Sequence, residues 1–337
     1  MNQDYLKSTK DLIKHGKHDY CISSNYDEKS IKFISKISDK EIYDLSANYP
    51  SESYRDLTKS IKRLFRIKNL ILSAGCEDLI IRIANVVNFN KYKAAVVFPT
   101  FYRITDKLAE YTDITWRDIE TTNYKDFDFV FIVNPNNLNG NHISKNIILN
   151  LVKNNPNTVF IIDETSILFL DNWKTESLAI GTDKYKNLLV ISSFSKFFGQ
   201  SGNRIGFAAA SKELLDRLKL ESTTFPISNL GAHIAAKSIT NKKLVKFIKQ
   251  RIKVHKNDIT KKLFSSDKIE LIPSDNNCIY CKSKNKLNLY KKLVSLGIVG
   301  LNLDCQKGIE QKGLVRLTIH GSDKKHNFLV NKLDLIK

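Results

Sequence analysis

The sequence predicts an α/β fold, in which a mostly parallel central sheet is flanked by helices and accompanied by a smaller α+β domain. Two observations lead to this prediction. Short, continuous apolar runs are typical of strands that are buried on both faces of a parallel sheet. Stretches with helical periodicity separate these runs along the chain, and this alternation is the pattern of an α/β layer architecture.

The apolar runs predicted as central strands are 94–98, 127–133, 159–162 and 188–191. Helical periodicity predicts helices over 77–87, 103–111, 144–153, 212–222 and 227–262. Further on, the strand-like runs 269–272, 278–281 and 315–319 alternate with predicted helices at 287–296 and 324–335. We therefore expect a large domain over residues 46–262 and a small α+β domain made of 1–45 and 263–337.

Length and composition are those of an ordinary globular protein. The chain has 337 residues, of which 42% are hydrophobic and 26% are charged. No apolar run approaches the roughly 20 residues that span a bilayer, and the polar N-terminus lacks the apolar core of a signal peptide. We therefore predict a cytoplasmic protein without a membrane partner.

The formal net charge of +19 could indicate nucleic-acid binding. However, the lysines are spread along the whole chain, mostly on polar helix faces, and form neither a tail nor a stripe. A solvated surface is therefore favoured, and no nucleic-acid partner is predicted. The same positive field would draw in anionic, phosphorylated substrates.

The cysteines indicate neither a disulfide framework nor a metal site. There are five of them, an odd number, and they are scattered along the chain. Cys278 and Cys281 have CxxC spacing, but they fall in a predicted strand and no second Cys/His pair accompanies them. No metal is predicted.

A lysine follows the predicted strand 188–191, at the end where doubly wound sheets bind their ligands. The segment is Ser193-Phe194-Ser195-Lys196, and Arg204 lies eight residues after the lysine. A lysine amine can form a Schiff base with an aldehyde, while hydroxyls and an arginine fork suit a phosphate. Taken alone, the segment could equally be a polar exit from a strand into a loop.

Other strand ends carry further residues of interest, namely Phe101, the NPNNLNG segment at 134–140, and Asp163. In addition, Gly75 and Cys76 open a predicted helix, whose free N–H groups form an anion site. Each feature alone has a structural interpretation as a turn, a helix cap or a core residue. Their occurrence together on successive strand ends favours one common site.

On these segments the chain resembles fold-type I enzymes that depend on pyridoxal 5'-phosphate (PLP), in the class I/II aminotransferase family. Within that family it is similar to the group that holds histidinol-phosphate aminotransferases and threonine-phosphate decarboxylases. The resemblance covers roughly residues 44–321. Its most specific segments are NPNNLNG (134–140), IIDE (161–164), SFSKFFGQSGNRIGF (193–207) and VRLTIHG (315–321).

The resemblance implies a role for each residue that matches the cofactor site. Lys196 would form the Schiff base with PLP and move the proton of the substrate α-carbon. Asp163 would pair with the pyridinium nitrogen, so that the ring acts as an electron sink. Phe101 would stack on the ring, and Asn137 would hydrogen-bond its phenolic oxygen. The cofactor phosphate would be bound by Gly75, Cys76, Ser193, Ser195 and Arg204.

The resemblance also implies how a substrate and a second subunit are bound. Arg316 would bind the substrate α-carboxylate. Tyr49 would reach the cofactor phosphate of the neighbouring subunit, which implies a homodimer. Asn48, in the segment Asp-Leu-Ser-Ala-Asn, and the pair His15 and Gly16 match segments that line the substrate-phosphate pocket of threonine-phosphate decarboxylases.

Several positions depart from the family pattern, among them Leu138 and Asn139 in place of the Pro and Thr of NPTG. The usual DEAY or DEAF is DETS at 163–166, so Ser166 replaces an aromatic residue that would lie near the phenolic oxygen. Gly300 stands where histidinol-phosphate aminotransferases have an additional substrate-binding arginine, which weakens the case for histidinol phosphate.

The sequence therefore predicts a PLP-dependent enzyme acting on a small, phosphorylated amino acid or amine. Transamination is favoured, and decarboxylation of an O-phospho-amino acid stays open, because sequence does not fix which bond stands perpendicular to the cofactor ring. A PLP-binding transcriptional regulator is the alternative of another class, disfavoured because no helix-turn-helix precedes the fold. A catalytically dead scaffold is disfavoured because Lys196, Asp163, Asn137 and Arg204 are all present.

Overall fold

The computed structural model describes residues 11–14, 17–22, 24–33, 37–50, 54–218, 220, 224–264, 267–285, 287–304 and 306–336. Its strands are β1 His18–Asp19, β2 Leu70–Ser73, β3 Ala94–Phe98, β4 Thr112–Thr115, β5 Phe129–Val133, β6 Val159–Asp163, β7 Leu188–Ser193, β8 Gly206–Ala209, β9 Ile269–Ile272, β10 Cys278–Ser283, β11 Ile298–Val299, β12 Leu301–Asn302 and β13 Val315–Thr318. Its α-helices are α1 Asp39–Ala47, α2 Arg55–Phe65, α3 Cys76–Phe89, α4 Tyr102–Thr105, α5 Lys145–Asn154, α6 Trp173–Glu176, α7 Lys212–Leu218, α8 Asn229–Thr240, α9 Lys242–Phe264, α10 Leu289–Ser295 and α11 Asp323–Leu333.

The central sheet has seven strands in the order β2-β8-β7-β6-β5-β3-β4. The five strands β3 to β7 run parallel to one another. Strand β8 pairs antiparallel with both of its neighbours, β7 and β2. Alternate residues of β3 belong to two separate apolar clusters: Ala95 and Val97 to one, Ala94 and Val96 to the other. Because an apolar cluster covers each face of the sheet, the central strands consist of continuous apolar runs. The predicted mostly parallel α/β sheet is confirmed.

A four-stranded antiparallel sheet, in the order β12-β13-β10-β9, is formed by the C-terminal part of the chain. The short strand β1 pairs in parallel with β11, and Tyr20 belongs to the apolar cluster of this unit. Residues 18–20 thus pack against the C-terminal unit. The predicted division at residues 45 and 46 falls inside α1, and Asn229 of α8 donates a hydrogen bond to the backbone oxygen of Asn48 (2.9 Å) just after this helix. The domain division stays a prediction.

Two predicted helices differ in the structure. The range 227–262 contains two helices, α8 and α9, because Asn241 adopts an extended backbone and its Oδ1 accepts a hydrogen bond from the Leu244 N–H (3.0 Å). The range 103–111 contains only the single turn α4, after which the chain enters the edge strand β4. Three of the four residues of β4 are exposed, so no apolar run predicted this strand.

In the part of the chain that the structure describes, no helix combines the length and the apolar character needed to cross a bilayer.

Candidate functional site

Two adjacent cavities lie where the polar strand ends of the central sheet meet the C-terminal unit. Eight of the predicted cofactor residues line the first cavity, of 230 Å³: Cys76, Phe101, Asn137, Asp163, Ser193, Ser195, Lys196 and Arg204. The second, of 180 Å³, is lined by Arg316, Cys21, Thr100, Tyr102 and Gln306, among others. Phe101, Asn137 and Lys196 line both cavities. Larger depressions of 420 and 630 Å³ elsewhere are lined by none of the predicted site residues.

Lys196 and Asp163 face the first cavity from neighbouring parallel strands. Lys196 lies three residues after β7, and Asp163 is the last residue of β6, 7% exposed. Removal from water lowers the pKa of Lys196, and the positive charge of Arg316 lowers it further. Burial raises the pKa of Asp163, whereas hydrogen bonds from Thr165 and the charge of Lys196 act against this rise. The lowered pKa of Lys196 shifts its amine toward the neutral form, which is the form that attacks an aldehyde.

The guanidinium of Arg204 lies beside the N-terminus of α3. Its Nη2 donates to the backbone oxygen of Ala74 (3.2 Å), and its Nη1 donates to that of Ser201 (3.0 Å). A Cβ on Gly75 would lie 2.7 Å from Nη2, and Gly75 has φ +84°, so only glycine fits here. The N–H of Gly75 donates to the backbone oxygen of Ser73 (2.8 Å). The first N–H groups of α3, beside the exposed guanidinium of Arg204, form an anion site.

Asn137 connects the two cavities. Its buried Oδ1 has no hydrogen-bond partner among the residues that the structure describes. Its backbone oxygen accepts hydrogen bonds from Arg316 Nη1 (2.5 Å) and from the hydroxyl of Tyr280 (3.1 Å). Arg316 is 4% exposed and also donates through Nη2 to the backbone oxygen of Cys21. Two backbone oxygens therefore position this arginine at the second cavity.

Three predicted residues that the structure describes, Gly75, Asn48 and Tyr49, do not line these cavities. Tyr49 is 85% exposed and packs against Phe225, with ring centroids 5.2 Å apart. Asn48 is exposed at the end of α1. The roles of both stay predictions. His15 and Gly16 lie outside the described residues.

The structure also places Ser166 and Gly300, two of the positions that depart from the family pattern. Ser166 is buried and lines the first cavity. Gly300 is buried between β11 and β12, and a Cβ there would lie 2.9 Å from the backbone oxygen of Arg316. Tight packing therefore leaves no room for a side chain at this position.

Sequence reasoning missed Asn25, which is 3% exposed. Its N–H donates to the backbone oxygen of Lys196 (2.9 Å), and its side-chain amide donates to that of Phe197 (3.3 Å). Its Oδ1 accepts a hydrogen bond from Gly321 N–H (2.8 Å). Asn25 thus ties the loop of Lys196 to the C-terminal unit. No local pattern marks it, because Phe197 is 172 residues away in the chain.

Thr165, which stands where the DEAY motif has alanine, makes contacts that the sequence did not predict. Its N–H and its hydroxyl both donate to Asp163 Oδ1, at 2.9 and 2.5 Å. Its oxygen lies 3.1 Å from the sulfur of Cys76. The cysteine, predicted for its backbone amide, therefore also has a side chain in this network.

The residues around the first cavity fit PLP. A buried carboxylate suits a ring nitrogen, a half-buried amide with an unpartnered oxygen suits a polar ring substituent, and a helix N-terminus with Arg204 suits a phosphate. Lys196 supplies the amine for the aldehyde. Within the described ranges, no group of three or more His, Cys, Asp or Glu side chains could hold a metal ion.

Comparisons with known proteins show the family of this chain. The family model for aminotransferase class I and II matches residues 16–333. A histidinol-phosphate aminotransferase of Caldanaerobacter subterraneus is 27% identical over 305 residues, which cover 85% of this chain and 83% of that protein.

Solved structures share the fold. The histidinol-phosphate aminotransferase of Clostridium acetobutylicum superposes with a TM-score of 0.82 at 24% identity, covering 94% of this chain and 98% of that one. The L-threonine-O-3-phosphate decarboxylase of Porphyromonas gingivalis superposes with a TM-score of 0.77 at 20% identity, covering 95% and 98%.

The fold and the site define an enzyme of fold type I that depends on PLP. The chain belongs to the aminotransferase class I and II family. The resemblance found in the sequence is confirmed, and so are the fold class and the cofactor.

Proposed function

We propose that this chain is an aminotransferase whose substrate is a small amino acid or amine that carries a phosphate. The observation that carries the proposal is the position of Lys196. It lines both cavities, with Asp163 in the first and Arg316 in the second. The same amine thus lines the proposed cofactor cavity and the cavity of Arg316, the residue that we assign to a substrate carboxylate. The relatives named histidinol-phosphate aminotransferase support transamination and a phosphorylated substrate.

The first cavity would hold the cofactor. When bound, PLP supplies an electron sink for a bond that breaks at the substrate α-carbon. Lys196 would hold its aldehyde, and Asp163 would accept a hydrogen bond from its protonated ring nitrogen. Asn137 would bind the phenolic oxygen, and Phe101 would lie against the ring. Its phosphate would be bound by Ser193, Ser195, Arg204 and the backbone amides of Gly75 and Cys76.

The second cavity would hold the substrate. The guanidinium of Arg316 would bind the α-carboxylate through its planar fork of N–H groups. Lys196 would then remove the proton from the substrate α-carbon and return it during turnover. Its lowered pKa supports this role, because a neutral amine is the form that accepts a proton.

Decarboxylation of an O-phospho-amino acid is the second candidate. It is supported by the shared fold of the Porphyromonas gingivalis decarboxylase and by the SAN segment that ends at Asn48. Both reactions would use Lys196 and Arg316 in the same places. They differ in whether a proton or the carboxylate leaves the α-carbon.

A direct assay separates the two reactions. Purified protein loaded with PLP is incubated with O-phosphoserine, O-phosphothreonine or histidinol phosphate, with and without 2-oxoglutarate. We expect glutamate to form only when 2-oxoglutarate is present, and no CO₂ release. CO₂ release without the oxo acid would overturn the aminotransferase assignment in favour of the decarboxylase.

A homodimer in the cytoplasm is part of the proposal. Tyr49 is largely exposed and lines neither cavity, so its implied contact with a cofactor phosphate requires a second copy of the chain. Sedimentation analysis should give twice the mass of one chain, and Tyr49→Phe should weaken PLP binding. A monomer that binds PLP with unchanged affinity in Tyr49→Phe would contradict this part.

A further inference from the structure

Thr165 lies at the centre of a hydrogen-bonded chain beside the first cavity. Its single hydroxyl proton is donated to Asp163 Oδ1 (2.5 Å), so its oxygen can only accept from the Cys76 thiol, 3.1 Å away. The thiol can donate because burial raises the pKa of Cys76, which keeps it protonated. The three side chains therefore form a chain with one direction, from Cys76 through Thr165 to Asp163.

This chain determines which oxygen of Asp163 is available. Oδ1 accepts two hydrogen bonds, from the N–H and the hydroxyl of Thr165. Across the ranges that the structure describes, no group donates a hydrogen bond to Oδ2, although Asp163 lines the cavity. Two hydrogen bonds to the same oxygen restrict the rotation of the Asp163 carboxylate. Oδ2 is thus left to meet a donor in the cavity.

We propose that Thr165 is a positioning residue for the cofactor, whose hydroxyl holds Asp163 so that Oδ2 receives the ring N–H of PLP. This inference rests on the proposed function. The alanine of the usual DEAY motif could supply the backbone N–H but not the hydroxyl. The second hydrogen bond to Asp163 Oδ1 therefore depends on the threonine side chain at position 165. Donation from Thr165 also stabilises the ionised form of Asp163, the form that keeps a ring nitrogen protonated.

The affinity for PLP tests the proposal without any measurement of turnover. Apoprotein is titrated with PLP and binding is followed by the absorbance of the cofactor. Thr165→Val keeps the shape of the side chain but lacks the hydroxyl, and we expect its Kd to rise by about 10- to 100-fold, as for a hydrogen bond to a charged group. Thr165→Ser should bring the Kd back to within about threefold of the wild type, because it restores the donor.

A double-mutant cycle shows whether Thr165 acts through Asp163. In the Asp163→Ala background, Thr165→Val should change the Kd by less than about threefold. Ser177→Ala is the matched control, since Ser177 donates to the buried carboxylate of Glu164 (2.6 Å) and lines neither cavity. It should lower the unfolding temperature and leave the Kd unchanged.

The outcomes separate this inference from the proposed function. If the wild type binds PLP and Thr165→Val binds it equally well, the positioning role is overturned while the proposed function stands. The same holds if Thr165→Val raises the Kd by the same factor in the Asp163→Ala background as in the wild type. If the wild type binds no PLP, both are overturned. Should Thr165→Val not fold, Thr165→Ala removes the same hydroxyl and carries the same expectation.

Discussion

The backbone oxygen of Asn25 occupies the space that a side chain on Gly199 would need. A Cβ on Gly199 would lie 2.2 Å from this oxygen, and the residue has φ +66°. The N–H of Asn25 is meanwhile bonded to the backbone oxygen of Lys196, three residues earlier in the loop. The N-terminal segment therefore lies directly on the loop that carries the amine, and glycine is what permits this close approach.

Replacing Gly199 should disturb both stability and the cofactor site. We expect Gly199→Ala to lower the free energy of unfolding by about 1–3 kcal/mol more than Gly313→Ala. Both variants place alanine in a left-handed backbone, but only the alanine at position 199 would also clash with a neighbouring atom. Gly313 is a matched control, with φ +73° and no atom within 4 Å of an added Cβ. Urea unfolding of both variants measures the difference, and equal losses would contradict the close approach.

Lys196 should be the residue that holds the cofactor. Borohydride reduction fixes PLP to the lysine that holds its aldehyde, so Lys196→Ala should contain no trapped cofactor. Lys212→Ala is the control, because Lys212 is exposed on α7 and pairs with Asp216. Mass spectrometry of peptides from the reduced protein locates the adduct. An adduct that persists in Lys196→Ala would refute the assignment.

Arg316 should discriminate in favour of substrates with a carboxylate. In Arg316→Lys the charge stays but the planar fork is lost, so kcat/KM for an α-amino acid should fall by roughly 10- to 100-fold. The matching amine without a carboxylate should lose much less. Steady-state kinetics on the two compounds gives the comparison. An equal loss on both would mean that Arg316 serves only to hold the backbone of Asn137 and Cys21.

Acid should destabilise the fold partly through His320. Burial, together with the charge of Lys325, lowers the pKa of His320 to about 3, below its ordinary value of 6.5. Between these values the unfolded chain binds the extra proton, so this contribution to stability is complete above pH 6.5 and is lost as the pH falls toward 3.

We expect His320→Gln to reduce the loss of unfolding free energy between pH 7 and pH 4 by roughly 1–3 kcal/mol. Urea unfolding at both pH values measures this change. Parallel pH curves for the variant and the wild type would show that His320 is not the titrating group.

Much of the site could be predicted because its residues follow strands of one parallel sheet. Asp163 and Lys196 come after neighbouring strands, and the carboxyl ends of parallel strands lie at the same edge. The predicted helix over 227–262 failed at Asn241, since a single polar side chain capped the next helix without changing the apolar periodicity. The edge strand β4 was missed because most of its residues are exposed.

The sequence by itself determined the strands β3, β5, β6 and β7, the family, and the polar residues at the ends of these four strands, because these depend on periodicity and on short motifs. Only the tertiary structure decided that Asn25 braces the loop of Lys196, that Gly300 has no room for a side chain, and that Thr165 joins Cys76 to Asp163. These contacts depend on where distant segments pack and which way their side chains point, and neither property is carried by local patterns along the chain.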